Sequence, residues 1–275
     1  MTAPFQLAAI GGPWGKRLEQ RRRGFDDYPW HEIAAGDDAD GDDADVDAAR
    51  LVWTQSAFSE YASAAAFAEI ASALLAAAAP IDLIAAAGDF VVDEMLHAEL
   101  SARVAMGLGG AVLLEVDHER LVRPAAGDNP LRRAAELLVR TSCVGEALTV
   151  PLLKLAMQRT GSSLIETVLA RIVRDESAHA ELGPWFLDWA DAELSDADRC
   201  YLGNVAGDAI AAYAPLFGGS CQTSEGKADH GVLDCASFDA TFASALQSRV
   251  VDPLALRGIV VPDEALKTAL EQPAW

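Results

Sequence analysis

Two short stretches of this sequence carry residue types suited to chemistry, Asp93-Glu94-Met95-Leu96-His97 and Asp175-Glu176-Ser177-Ala178-His179. In each, a carboxylate and an imidazole stand three residues apart, so on a helix they project from one face. A single Glu-x-x-His is weak evidence, because these residue types meet at that spacing by chance. Two copies of Asp-Glu-x-x-His, each inside a long segment of helical apolar periodicity, are a much more specific signal. Two such helices facing each other bring two carboxylates and two imidazoles into a bundle core. A dinuclear metal site then needs one further carboxylate from each of two other helices.

The elements that must position these groups follow from periodicity and punctuation. The first long helix is expected from about Asp47 to Ala78, with Trp53, Ala57, Glu60, Ala64, Phe67, Ala71 and Leu74 on one stripe. Glu60 thus stands in the middle of an apolar face, whereas Glu69 lies half a rotation away. Pro80 suits the entry of a second helix, Ile81 to about Gly107, on which Glu94 and His97 share a face with Phe90, Val91, Ser101 and Ala105. The glycines from Gly107 to Gly110 end it, and Ala111–Val116 has enough apolar character for a short buried piece. Asn129 and Pro130 make an N-cap and a first helical residue for a third helix running to about Gln158. There Glu146 shares a stripe with Val139, Ser142, Cys143, Val150 and Leu153. Pro151, five residues on, predicts a kink or π-bulge close to Glu146, with Thr149 placed to satisfy a freed carbonyl. Ser163 with Glu166 reads as a capping box for the fourth helix, which carries Glu176 and His179 to about Leu194, with a bend allowed at Gly183-Pro184.

Register supports a common height for these groups. Glu94 and Glu176 each lie about thirteen residues into their helices and Glu146 about twelve from the end of its own. At ~1.5 Å per residue that is roughly 20 Å from the connecting loops. Glu60 fits less well, by an amount the uncertain helix end covers. Four carboxylates with two imidazoles suit iron or manganese, and the absence of thiolates from the set argues against a structural zinc centre. Four bare carboxylates in a dry core repel one another, and metal binding relieves that repulsion.

Composition bounds the rest. The chain has 275 residues, is 51% apolar and carries a net charge of −21, nearly half of it from residues 26 to 47, where ten acidic residues stand without a Lys or Arg. With no basic stripe, nucleic-acid binding is disfavoured. No apolar run reads as a membrane helix. Arg21-Arg22-Arg23 leads into Gly-Phe-Asp-Asp rather than an apolar core, so a cytoplasmic protein is expected. Residues 1–47 read as an irregular leader, its Gly-Pro-Trp-Gly and Tyr-Pro-Trp-His segments arguing against helix at either tryptophan, and Gly36–Asp47 reads as a solvated acidic linker rather than a calcium loop. Residues 48–194 form the expected four-helix metal-binding unit. Residues 195–275 add two helices, about Asp196–Leu216 and Phe238–Val251, separated by a polar loop Gly218–Asp234 and followed by a short helical tail. Cys143, Cys200, Cys221 and Cys235 form no C-x-x-C pair and are expected reduced and buried.

The order Glu, Glu-x-x-His, Glu, Glu-x-x-His, with intervals of 34 residues from Glu60 to Glu94 and 30 from Glu146 to Glu176, resembles the ferritin-like di-iron carboxylate superfamily over roughly residues 48–190. The resemblance implies an all-α, ferritin-like four-helix bundle. It implies Glu60, Glu94, His97, Glu146, Glu176 and His179 as metal ligands, with Glu94 and Glu176 able to bridge. An Asp directly before each Glu is most similar to the bacterial multicomponent monooxygenases, in which it orients the other helix's histidine. The implied pairs are Asp93 with His179 and Asp175 with His97. Departures set the limit of the likeness. Ser101 stands where the radical tyrosine of ribonucleotide reductase small subunits lies, and Tyr61 points off the face of Glu60. Val150 replaces the monooxygenase threonine, with Thr149 one residue earlier, and Ile172 stands where an arylamine N-oxygenase has a third histidine. The resemblance therefore reaches the superfamily and no subfamily.

The implied function is an oxygen-activating enzyme with two Fe ions, or Mn or a mixed Fe/Mn pair, that oxidises or hydroxylates a small organic substrate with O2 as co-substrate. Its electrons would come from an external ferredoxin or reductase, since no flavin or nicotinamide fingerprint is present. A ferroxidase or iron-handling protein and a metal-free helical binding protein are the alternatives. The oligomeric state is open, a homodimer being one arrangement it allows.

Overall fold

The computed structural model describes residues 2–34, 43–217, 221–222 and 230–271. The chain is mainly helical; two pairs of two-residue strands are the extended structure among the described residues. Strand β1 (Ala3–Pro4) pairs antiparallel with β2 (Glu115–Val116), tying the start of the chain to the connection after the second long helix. The apolar piece expected at Ala111–Val116 is only partly covered: Val116 is buried, while Leu113 is 75% exposed.

The leader is less irregular than expected. Helix α1 spans Gly12–Arg21, with Pro13 in its first turn, where its missing N–H and fixed φ cost nothing. Gly-Pro-Trp-Gly is therefore a helix start rather than a break. A 3₁₀ turn at Phe25–Asp27 and the short α2 (His31–Ala34) follow. Phe25 is buried, and the Trp30 indole N–H donates to the Phe25 carbonyl at 2.7 Å. Arg22 pairs with Glu99 at 2.6 Å and Arg103 with Asp26 at 3.1 Å, fastening the leader to the next helices. Most of the acidic linker, positions 36–42, lies outside the described residues.

Four long helical rods follow. Helix α3 (Asp43–Ala76) begins four residues before the expected start; α4 (Ile81–Gly107) has the expected bounds. The stripe on α3 is the buried one: Trp53, Ala57, Ala64, Phe67 and Leu74 are all in the core. The third rod is composite, α5 (Pro130–Leu138), a π-helical stretch (Val139–Glu146) and α6 (Ala147–Arg159). Asn129 caps it by accepting from the Arg132 N–H at 2.9 Å, and Pro130 is its first residue. The π-helix lies where Pro151 predicted a disturbance, and the Thr149 hydroxyl donates to the Gly145 carbonyl at 3.0 Å. Helix α7 (Ser163–Ala190) is the fourth rod and runs through Gly183-Pro184.

The cap of α7 is not the expected one. Ser162, rather than Ser163, accepts from the Ile165 N–H at 3.3 Å. The carboxylate expected from Glu166 is supplied by Glu32 of the leader, which accepts from the Leu164 N–H at 3.1 Å and from the hydroxyls of Ser162 and Ser163. An acid at a helix N-terminus satisfies orphan N–H groups and opposes the macrodipole.

The four rods share one continuous core. Helix α3 lies along α4, and α7 along the π segment and α6; α4 also packs on α7, and α3 on α5. Helix α8 (Asp196–Phe217) covers the π segment. Helix α9 (Cys235–Ala245) and a second π stretch (Leu246–Val251) lie against α6, α10 (Asp252–Ala255) packs on that π stretch, and α11 (Asp263–Glu271) closes on α8. Close approach of α7 to the π segment depends on Gly183, whose Cβ would stand 2.5 Å from the Cys143 sulfur.

Two cysteine expectations are overturned. Strands β3 (Cys221–Gln222) and β4 (Leu233–Asp234) pair in parallel, which brings Cys221 and Cys235 to a Cα separation of 4.9 Å, and they form a disulfide. Cys200 is exposed; only Cys143 is both free and buried. The pairing follows from neighbouring strands and sets no cellular compartment. No helix among the described residues is long and apolar enough to cross a membrane.

Candidate metal centre

Each of the four rods contributes to one cluster in the core: Glu60 from α3, Glu94 and His97 from α4, Glu146 from the last turn of the π segment, and Glu176 and His179 from α7. Glu94, His97, Glu176 and His179 are at most 1% exposed and Glu146 is 6% exposed, while the Glu60 side chain keeps 14%. Ligand-type atoms of Glu60, Glu94, His97 and Glu176 all lie within 4.8 Å of one another.

The two histidines turn the same nitrogen inward. His97 Nδ1 faces Glu176 Oε1 at 2.9 Å, Glu94 Oε2 at 3.7 Å and Glu60 Oε2 at 3.8 Å. His179 Nδ1 faces Glu176 Oε2 at 3.0 Å and Glu94 Oε1 at 3.1 Å. Glu94 and Glu176 therefore each present one oxygen to either imidazole, and the ring centroids are 5.9 Å apart. Glu146 lies on the Glu176 side, where burial first and then the charges of Glu176 and Glu94 push its carboxyl well above the usual carboxylate range. Burial raises Glu60 likewise, against the pull of His97.

The outward nitrogens meet the two aspartates in a crossed arrangement. His97 Nε2 lies 3.2 Å from Asp175 Oδ2, and His179 Nε2 lies 3.9 Å from Asp93 Oδ2. Burial opposes charge on both rings, but the surrounding carboxylates outweigh it, raising His97 well above its ordinary value and His179 to about 12. The same contacts act in reverse on Asp175 and Glu176: burial raises them, and the facing imidazoles, joined at Asp175 by Arg171, pull both well below the ordinary range. Phe67 and Phe90 pack on the His179 ring, at 5.1 and 4.2 Å between centroids, and exclude water from that side.

The cluster of Glu60, Glu94, His97 and Glu176 could hold a metal ion. Both oxygens of Glu94, Oε1 of Glu176 and Nδ1 of His97 face inward and are buried without an aligned hydrogen bond, whereas the inward Nδ1 of His179 is bonded to Glu176 Oε2. Such groups are costly to leave unmade in a protein core. Carboxylate oxygens with an imidazole are a donor set for a divalent transition-metal ion. Thr149 stays outside the cluster, its hydroxyl committed to Gly145. Ser101, one turn beyond His97, is fully buried with its hydroxyl unbonded.

Sequence reading missed Arg171. Its Nε donates to Asp175 Oδ2 at 2.5 Å and its Nη2 lies 3.8 Å from Asp93 Oδ1, so it hydrogen-bonds one aspartate and forms a longer ion pair with the other. The signal was available in part, since Arg171 and Asp175 are an i,i+4 pair on one helix face. A cavity of about 20 Å³ lined by Cys143, Ala147, Ala180 and Leu187, among others, lies beside the rods that carry Glu146 and His179. It has room for one water-sized molecule. No family model, curated protein or solved structure matches the chain.

Proposed function

We propose that the chain is a ferritin-like four-helix bundle with additional C-terminal helices, built to hold two iron ions, or manganese or a mixed pair. In this reading it is an oxidoreductase that activates O2 to oxidise or hydroxylate a small organic substrate. The observation that carries the reading is the placement of Glu94 and Glu176, each with one oxygen toward either histidine. Carboxylates so placed are suited to bridge two cations, with Glu60 and His97 completing one side and Glu146 and His179 the other. When bound in the reduced state, such a pair supplies electrons to O2. The chain's own groups prepare the place. Asp175 is hydrogen-bonded to the outward nitrogen of His97, Asp93 faces that of His179 at ion-pair distance, and Phe67 and Phe90 keep the His179 side dry. An external donor, a ferredoxin or reductase, would return the electrons.

Elemental analysis of the purified protein, with optical spectra before and after O2 exposure, tests the reading. About two iron (or iron plus manganese) per chain are expected. Glu94→Ala and His179→Ala should lose the metal, and metal content unchanged in both variants refutes the ligand set. A ferroxidase or iron-handling role is the alternative reading of the same cluster. Catalytic oxidation of Fe(II) in large excess over protein, without any organic substrate, would select it.

A further inference from the structure

One cation touches both halves of the cluster from behind. Arg171 stands one turn before Asp175 on α7, and its side chain is 14% exposed. It reaches Asp175, behind His97, and Asp93, behind His179. The guanidinium is itself covered: its Cζ lies 5.4 Å from the centroid of the Phe25 ring, and Phe25 is 1% exposed. Phe25 belongs to the N-terminal segment, which is held down by Arg22–Glu99, Asp26–Arg103 and the Glu32 cap on α7. Arg174 also meets Asp175, at 3.1 Å, but its side chain is 68% exposed and it pairs with no other carboxylate among the described residues.

Resting on the metal-centre reading, we infer that Arg171 is a positioning residue common to both ions, seated by Phe25, which orients His97 through Asp175 and His179 through Asp93. A planar guanidinium presents several N–H groups at fixed angles and can serve two carboxylates at once; an ammonium is a compact point charge. Covered by an aromatic ring and largely shielded from water, the Arg171 pairs are screened less than an exposed pair such as Arg174–Asp175. The two histidines therefore share one support, and the N-terminal segment is part of it.

The test is anaerobic titration with ⁵⁷Fe(II), followed by Mössbauer spectroscopy of the loaded, reduced protein. Asp175→Asn should disturb the iron signal associated with His97, and Asp93→Asn the other. Arg171→Gln should disturb both and weaken both binding steps at least tenfold, the lower end of about 10- to 100-fold for groups behind a metal ligand. Arg171→Lys should not restore both sites, and Arg174→Gln should match the wild type. Phe25→Ala, which leaves the guanidinium in place, should shift both signals in the same sense by a smaller amount. Far-UV circular dichroism checks that each variant keeps its helix content. Binding and spectra of Arg171→Gln equal to wild type, a change at one iron only, or full restoration by lysine each overturn the inference while leaving the metal centre standing. Should Arg171→Gln not fold, unchanged signals in Phe25→Ala together with full restoration by lysine overturn it. A wild-type protein that takes up no iron overturns the metal-centre reading and this inference with it.

Discussion

Replacing Glu94 by leucine should stabilise the metal-free protein and destabilise the iron-loaded one relative to wild type. Glu94 is 0% exposed and both its carboxylate oxygens are buried without a hydrogen bond. An unsatisfied buried polar group costs about 1–3 kcal/mol, and more when charged. Removing Glu94 strands neither imidazole: His97 keeps Glu176 at 2.9 Å and Asp175 at 3.2 Å, and His179 keeps Glu176 at 3.0 Å and Asp93 at 3.9 Å. Leucine is of similar size and brings no polar group that needs a partner. A gain of about 1–3 kcal/mol, the cost of the unsatisfied carboxylate, is therefore expected in chelator. With Fe(II) at a hundred times its dissociation constant, wild type gains about 2.7 kcal/mol per site, whereas the variant lacks a carboxylate that both sites use. Anaerobic urea denaturation followed by circular dichroism, with chelator and with Fe(II), should show the order of stability reversing. A Glu94→Leu protein that is less stable than wild type in chelator refutes the reasoning, because Glu94 would then be a structural partner of the histidines, whose loss costs about 3–5 kcal/mol.

Metal loading near neutral pH should release protons, since His97, His179, Glu60 and Glu146 are all held above their ordinary values and must give up protons to bind a cation. Apparent affinity should therefore rise with pH, and calorimetry in buffers of different ionisation enthalpy should show the release; pH-independent binding contradicts it. Glu60→Ala and Glu146→Ala should each lower bound iron from about two to about one per chain, because each residue serves one side of the cluster; elemental analysis reads this, and loss of both ions in either variant refutes the division. Gly183→Ala should cost about 1–3 kcal/mol by overpacking, with partial recovery when combined with Cys143→Ala, because the added Cβ meets the Cys143 sulfur at 2.5 Å and Ser142 Cβ at 3.0 Å. Urea denaturation of the four proteins should give a coupling energy of about 0.5–3 kcal/mol, and strict additivity sinks the argument.

What the sequence made legible was local. The Glu-x-x-His pairs, the stripe around Glu60, the Asn129 cap and the disturbance near Pro151 all depend on spacings within a single helix, where 3.6-residue geometry fixes the outcome. What it hid depends on contacts between distant segments. The cap of α7 shifted to Ser162 because Glu32 arrives from the leader. The Cys221–Cys235 bond depends on β3 meeting β4 across the polar loop. Pro13 was read as a breaker although it occupies the first turn, where proline is tolerated. Arg171 could be paired with Asp175 by spacing, but its reach to Asp93 and its Phe25 cover depend on α4 and the leader folding back over α7.

A second buried glutamate shows what a structural carboxylate looks like in this same protein. Glu136 is 4% exposed and accepts from the N–H groups of Ala126 and Gly127 at 2.9 and 3.0 Å, from the Tyr201 hydroxyl at 2.6 Å and from Arg140. Both of its oxygens are spoken for, as the cost of burying a carboxylate requires. The cluster around Glu94 is satisfied on its outer side, where Asp175 meets His97 and Arg171, and unsatisfied on its inner side, where the Glu94 oxygens, Glu176 Oε1 and His97 Nδ1 converge. A salt-bridge network selected for stability alone would distribute its hydrogen bonds as Glu136 does. Atoms of α4 and α7 that converge in the core without a hydrogen bond, with partners behind them, are the arrangement a bound cation would complete.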